Sequence, residues 1–204
     1  MLRKLTIMIT ATAAMAILLL ASSAYAVTLY PTEDTYTPDD IGGSSHGGET
    51  QLLCANSSGC SGNNYDRSMV LFDLSSYMGQ TVTTATFNIY QFYGGCGVCN
   101  ADFFHATESW DESYSGGHIS HNSTAWANKV FSTSTGWFDV DVTDLLQAWL
   151  DGDMPNYGFV MHARNGSKYG KFYSNDNASN KPYLELGTTG IESKSLGAIK
   201  AAFK

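Results

Sequence analysis

At 204 residues the chain is about one domain long, which excludes a multidomain machine. Apolar residues make up 43% of it and charged residues only 15%, with 20 Gly, 12 Tyr and 10 Phe, a mix too aromatic and too weakly charged for a disordered chain. The formal net charge of −8 repels phosphate backbones and anionic lipid, so nucleic acid is not an expected partner.

The chain opens on Met-Leu-Arg-Lys, a positively charged start, followed by the apolar run Ala13 to Ala21 and by Ala24-Tyr25-Ala26, a small-x-small cleavage site. Residues 1–26 therefore read as a signal peptide, with Val27 as the mature N-terminus and the mature chain extracellular. No later apolar run approaches the ~20 residues of a membrane-spanning helix, so no membrane insertion is expected.

Beyond Val27, short runs of period two recur between clusters of Gly, Ser, Asn and Asp. They predict strands over 27–30, 50–54, 68–74, 84–92, 101–107, 137–142, 157–163, 169–174 and 183–186. Within 84–92, Ala85, Phe87, Ile89 and Gln91 share one face, while Thr84, Thr86, Asn88, Tyr90 and Phe92 share the other. Phe138, Val140 and Val142 alternate with Trp137, Asp139 and Asp141 in the same way. These runs predict an all-β, antiparallel jelly-roll β-sandwich with one short helix. The helix is the segment in which Leu145, Leu146 and Trp149 share a face, with Thr143 or Asp144 as cap and Gly152 as stop, plugging one end of the sandwich. The sandwich domain spans 27–187. Residues 188–204 are a linker and a basic tail with Lys194, Lys200 and Lys204 against Glu192, readable as a frayed terminus or as a docking element.

Four cysteines in an exported chain, Cys54, Cys60, Cys96 and Cys99, predict two disulfides. Spacing favours 54 with 60 and 96 with 99, while an up-and-down run of strands would also allow bridges between the two loops; four thiolates around zinc are a further alternative. No His-Glu-x-x-His helix or phosphate-binding glycine loop occurs, and no catalytic residue is expected. His118 and His121 are spaced as a metal pair, but a Gly/Ser-rich loop is more often solvated surface. Asp111 and Glu112 are adjacent, so on a strand they would face opposite sides. Hard oxygen ligands cluster at Glu33, Asp34, Asp39 and Asp40, at Asn63, Asn64 and Asp66, and at Asn175, Asp176 and Asn177. They suit turns, and they equally suit a structural Ca²⁺ with Asp34 and Asp176 as its first ligands.

Aromatic parity carries the functional expectation. Tyr90 and Phe92 fall on the polar face of their strand, and Tyr169, Lys171 and Tyr173 fall opposite Phe172. Rings presented from a rigid sheet stack on the apolar C–H faces of sugars while nearby polar groups bond the hydroxyls. These five residues are the candidate ligand-binding set; the competing reading is a secondary core under loops.

An ordered series of motifs adds to this: Arg67-Ser-Met-Val-Leu-Phe-Asp-Leu-Ser-Ser, Val82-Thr-Thr-Ala-Thr-Phe-Asn-Ile-Tyr, Trp110-Asp-Glu-Ser, Phe138-Asp-Val-Asp-Val-Thr with Gln147-Ala-Trp-Leu-Asp-Gly, Asn156-Tyr-Gly-Phe, and Phe172-Tyr-Ser-Asn-Asp with Lys181-Pro-Tyr-Leu-Glu-Leu. The series resembles the DNRLRE domain family, which also covers disaggregatase-related repeats and a carbohydrate-binding module family. The resemblance implies a jelly-roll sandwich that binds polysaccharide, often attached to extracellular enzymes such as polysaccharide lyases. The insert Gly94 to Cys99 and the loop around Cys60 depart from the family pattern. The expectation is an exported, non-catalytic polysaccharide-binding module that is not an enzyme. A structural subunit that self-assembles into an extracellular fibre, sheath or surface layer is the alternative.

Overall fold

The computed structural model of the protein describes residues 23–38, 45–58, 63–64, 66–95, 97–164 and 168–190. The expected signal segment up to residue 22, Asp39, Asp40, Cys60, Cys96 and the basic tail from 191 onward lie outside the described residues. Among the described residues the chain forms β1 (Ser23–Leu29), β2 (Glu33–Thr37), β3 (Gln51–Cys54), β4 (Ser57–Ser58), β5 (Asn63–Asn64), β6 (Arg67–Leu71), β7 (Thr81–Gly94), β8 (Cys99–His105), β9 (Ala127–Phe131), β10 (Gly136–Asp141), α1 (Thr143–Leu150), β11 (Phe159–Ala163), β12 (Gly170–Tyr173) and β13 (Tyr183–Gly190). The two strands absent from the sequence reading that join the sheets are β2, which is polar at most positions, and β9, whose apolar residues Ala127, Val130 and Phe131 do not alternate, so period two is weak in both.

Two antiparallel sheets form the sandwich. The five-stranded sheet runs β2-β6-β11-β8-β9. In the six-stranded sheet, β7 is central: β10 pairs along one edge, β13 and then β12 lie end to end along the other, and β1 and β3 flank these two. Setting aside the small β4–β5 hairpin, the chain changes sheet at every step from β1 to β8, as a jelly roll requires and unlike an up-and-down run.

Period two decides what is buried. Ala85, Phe87 and Ile89 of β7 are fully buried, and so are Phe72, Phe103, Phe159 and Phe172. The rings of Phe72, Phe87, Phe103 and Phe159 interlock with centroids 4.8 to 6.3 Å apart, a spacing suited to edge-on contact. Gly158 adopts φ +78, and a β-carbon there would fall against the carbonyl of Val70 in β6. Only glycine meets both conditions, which explains the Asn-Tyr-Gly-Phe motif: the Asn156 side chain accepts from the Gly158 amide at 3.0 Å and donates to the Phe72 carbonyl at 2.8 Å.

The helix buries Leu145, Leu146, Trp149 and Leu150, and Gly152 at φ +77 follows it. Its cap is neither Thr143 nor Asp144. Asp141 accepts from the Thr143 amide at 3.0 Å and hydroxyl at 2.7 Å, freeing Thr143 Oγ1 to accept from the Ala85 amide at 2.9 Å. Gln147 accepts from the Val82 amide at 2.7 Å, so the helix satisfies the edge of β7 where β10 ends.

Cys54 and Cys99 are buried free thiols, so neither spacing-favoured bridge is present. Strand alternation turns Cys54 inward with Leu52 and brings Cys99, on the opposite sheet, to 3.6 Å from the Cys54 carbonyl. Burial pushes the Cys54 thiol above its ordinary pKa, with Cys99 adding to the effect.

The connection from β8 to β9 folds over the outer face of the five-stranded sheet. Ala106 and Ile119 there enclose Met69 and Val160 in a second core, with Trp110, Tyr114 and Tyr157 packed against it. Trp110 donates to the Tyr157 carbonyl at 2.7 Å. Among the described residues no helix is long and apolar enough to cross a membrane.

Candidate functional site

The six-stranded sheet presents a row of rings on its outer face. β12 pairs Lys171 with Tyr93 and Phe172 with Gln91, so Phe92 is an extra residue on β7, a β-bulge. The bulge frees two consecutive rings from the core. Phe92 stacks on Tyr173 at 4.6 Å, and Tyr93 turns toward Tyr169 at 6.4 Å. Strand register extends the row: Tyr90 stacks on Tyr173 at 5.6 Å and meets its cross-strand partner Trp137 edge-on at 5.5 Å. Trp137 in turn meets Tyr183 edge-on at 5.2 Å. Phe92, Tyr173, Tyr90, Trp137 and Tyr183 thus form one continuous ribbon across four strands.

At the Trp137 end the ribbon opens into a cleft of about 560 Å³ lined by Tyr30, Trp137, Tyr183, Asn175, Asn180 and Lys181, a size that suits a small organic ligand. Tyr30 is 56% and Trp137 44% exposed, so both rings are available for contact. The loop after β12 supplies the polar wall. It is held by Asn175, whose backbone amide donates to Asp34 at 2.7 Å and whose side chain donates to the Pro31 carbonyl at 3.1 Å. Rings for apolar faces, amides and one ammonium for hydroxyls make a combination that grips a sugar.

Of the five residues expected from parity, Tyr90, Phe92 and Tyr173 lie in the ribbon. Tyr169 and Lys171 form a neighbouring group, with the Lys171 ammonium 5.4 Å from the Tyr169 ring centre. Burial, with smaller contributions from Asp66, Tyr93 and Glu49, pushes the Tyr169 phenol up to about 12, so it remains a hydrogen-bond donor. Sequence reasoning missed Tyr30, Trp137 and Tyr183. The outward parity of Trp137 was readable, but its meeting with Tyr183 and Tyr30 depends on the β1-β13-β7-β10 order.

A second group lies behind the same loop. Asp34 and Asp176, the expected calcium ligands, come together with Glu112, each offering a carboxylate oxygen within 4.8 Å of the others. Burial raises the Asp34 carboxyl to about 7; Asp176 and Glu112 push the same way, and the Asn175 amide and Lys181 oppose them. Burial likewise raises Glu112. Glu112 is anchored by its own amide donating to Glu33 at 3.1 Å and by the Ser45 hydroxyl on its carbonyl, whereas Asp111 turns away to bond Ser113.

His121 stacks on Phe104 at 4.3 Å with Nδ1 2.7 Å from the Asn122 carbonyl, and its ring is 5.7 Å from His162. Burial, assisted by Arg67, His121 and His118, lowers His162 to about 4 and keeps it neutral near pH 7.

Among curated proteins the chain is similar to tRNA nuclease WapA of Bacillus subtilis, 31% identical over 127 residues, covering 57% of this chain and 5% of that protein. It is also similar to tRNA3(Ser)-specific nuclease WapA of Bacillus spizizenii, 30% identical over 139 residues, covering 63% of this chain and 6% of that one. The chain therefore spans only a small fraction of the relatives it matches. A family model covers nearly all of the sandwich, from the second half of β1 to β13: over residues 25–188 the chain matches, and belongs to, carbohydrate-binding module family 96.

Proposed function

We propose that the protein is an exported, non-catalytic polysaccharide-binding module whose ligand lies along the ribbon from Phe92 to Tyr183 and ends in the cleft beside Tyr30. The observation that carries this reading is the continuous row of partly exposed rings ending in a cleft with amide and ammonium groups. The resemblance to DNRLRE domains supports the same ligand class. Neutral glycans are favoured over uronates, because Asp139, Asp141 and Glu185 share the outer face with Asn88 and Thr86. The nuclease activity named for WapA is not carried over, since the match covers 5% of that protein and an acidic chain repels a phosphate backbone.

Export rests on the charged and apolar lead-in and the Ala24-Tyr25-Ala26 site. Cleavage after Ala26 leaves Val27, Thr28 and Leu29 in register with Leu186, Glu185 and Leu184, so a shortened β1 still covers the sheet edge. N-terminal sequencing of the secreted protein should begin at Val27. Affinity electrophoresis and calorimetry against soluble neutral polysaccharides and alginate test the binding: retardation by a neutral glycan supports it. No binding at millimolar sugar together with filament formation would replace it with the structural-subunit reading.

A further inference from the structure

We infer that Asp34, Glu112 and Asp176 bind a calcium ion that fastens the polar wall of the cleft to the sandwich. Asp34 is 1% exposed, and while its Oδ2 accepts from the Asn175 amide, its Oδ1 has no hydrogen-bond partner. A buried carboxylate oxygen without a partner is costly, and a cation beside it removes that cost. The other two carboxylates converge on the same point, all within 4.8 Å, the spread of oxygens around an ion whose ligand distance is about 2.4 Å. The donors are all hard oxygens, which excludes soft metals. Calcium fits better than magnesium because the three ligands come from a strand and two loops, an irregular set that tolerates variable geometry.

The burial of Asp34 also decides against acid–base chemistry on a glycan: no glycosidic oxygen reaches it, whereas a small cation enters past exposed Asp176. The ion would join three distant pieces: β2 through Asp34, the β8–β9 connection through Glu112, and the loop after β12 through Asp176. Asn175, Asn180 and Lys181 of that last loop line the cleft. Calcium binding stands on the carboxylate geometry alone; its effect on glycan affinity rests on the proposed function.

The test uses the purified secreted protein stripped with EDTA and titrated with CaCl₂ or MgCl₂ by calorimetry and thermal denaturation. One Ca²⁺ per chain is expected, with a melting temperature raised by about 5–10 °C when calcium is 100-fold above its dissociation constant. Asp176→Asn, at an exposed position that leaves the fold intact, should weaken calcium binding at least about 10-fold, the loss expected when one of three charged ligands becomes neutral. Absence of a calcium-dependent shift in the unmodified protein, preference for Mg²⁺, or undiminished affinity in Asp176→Asn would each overturn the assignment. Trp137→Ala keeps full calcium affinity if the site is as described, so failure of glycan recognition and failure of the ion site read out separately.

Discussion

Trp137→Ala removes the ring that joins the ribbon to the cleft. Trp137 contacts Tyr90 at 5.5 Å and Tyr183 at 5.2 Å, and its 44% exposure leaves nearly half of it free to meet a ligand. Truncating a ring that anchors an interface costs on the order of 1–2 kcal/mol, about 5- to 30-fold in Kd. The cost to folding is smaller than for a core ring, about 2 kcal/mol at most, because the outer face borders solvent already. Calorimetric titration at 25 °C with a neutral polysaccharide that binds the parent protein reads the loss, and circular dichroism checks the fold. Tyr173→Ala, which removes the partner of both Tyr90 and Phe92, should behave likewise. Unchanged affinity in Trp137→Ala, with binding abolished in Tyr169→Ala, would refute the ribbon and move the site to the Tyr93–Tyr169 group.

Phe87→Ala, in a fully buried ring cluster, should cost about 3–5 kcal/mol by urea denaturation; a loss under 1 kcal/mol would mean that the core is packed otherwise. Gly158→Ala should cost at least about 2 kcal/mol in the same assay, from the positive φ and the Val70 carbonyl together. His162 is lowered in the fold to about 4 from an ordinary 6.5, so the stabilisation of its neutral form is full above pH 6.5 and is lost as pH falls from there toward 4. After allowance for partial exposure this amounts to about 1–2 kcal/mol. Arg67, His121, His118 and Asp102 face the ring, so the comparison is with His162→Gln, whose melting temperature should fall less between pH 7 and pH 4 than that of the parent protein.

Fold class and the inward or outward sense of most strand residues are legible in the chain, because alternation is a property of neighbouring residues and needs no knowledge of the sheet. It therefore placed Phe87, Ile89 and Phe172 in the core, Tyr90 and Tyr173 on the outer face, and Leu145, Leu146 and Trp149 on one side of a helix. Which outward residues meet is set by the pairing of distant strands. The bulge at Phe92 appears when β7 is laid against β12, and the cleft forms where Tyr30, Trp137 and Tyr183 are gathered by strand order. Glu112 reaches Asp34 from 78 residues away, through a connection folded over the five-stranded sheet to which β2 belongs. The cysteines teach the same lesson: spacing paired neighbours in sequence, while the sandwich turned Cys54 and Cys99 into the core from opposite sheets. Local alternation sets the face a side chain takes, but its neighbours there are chosen by the free energy of packing two whole sheets, which no short stretch of sequence encodes.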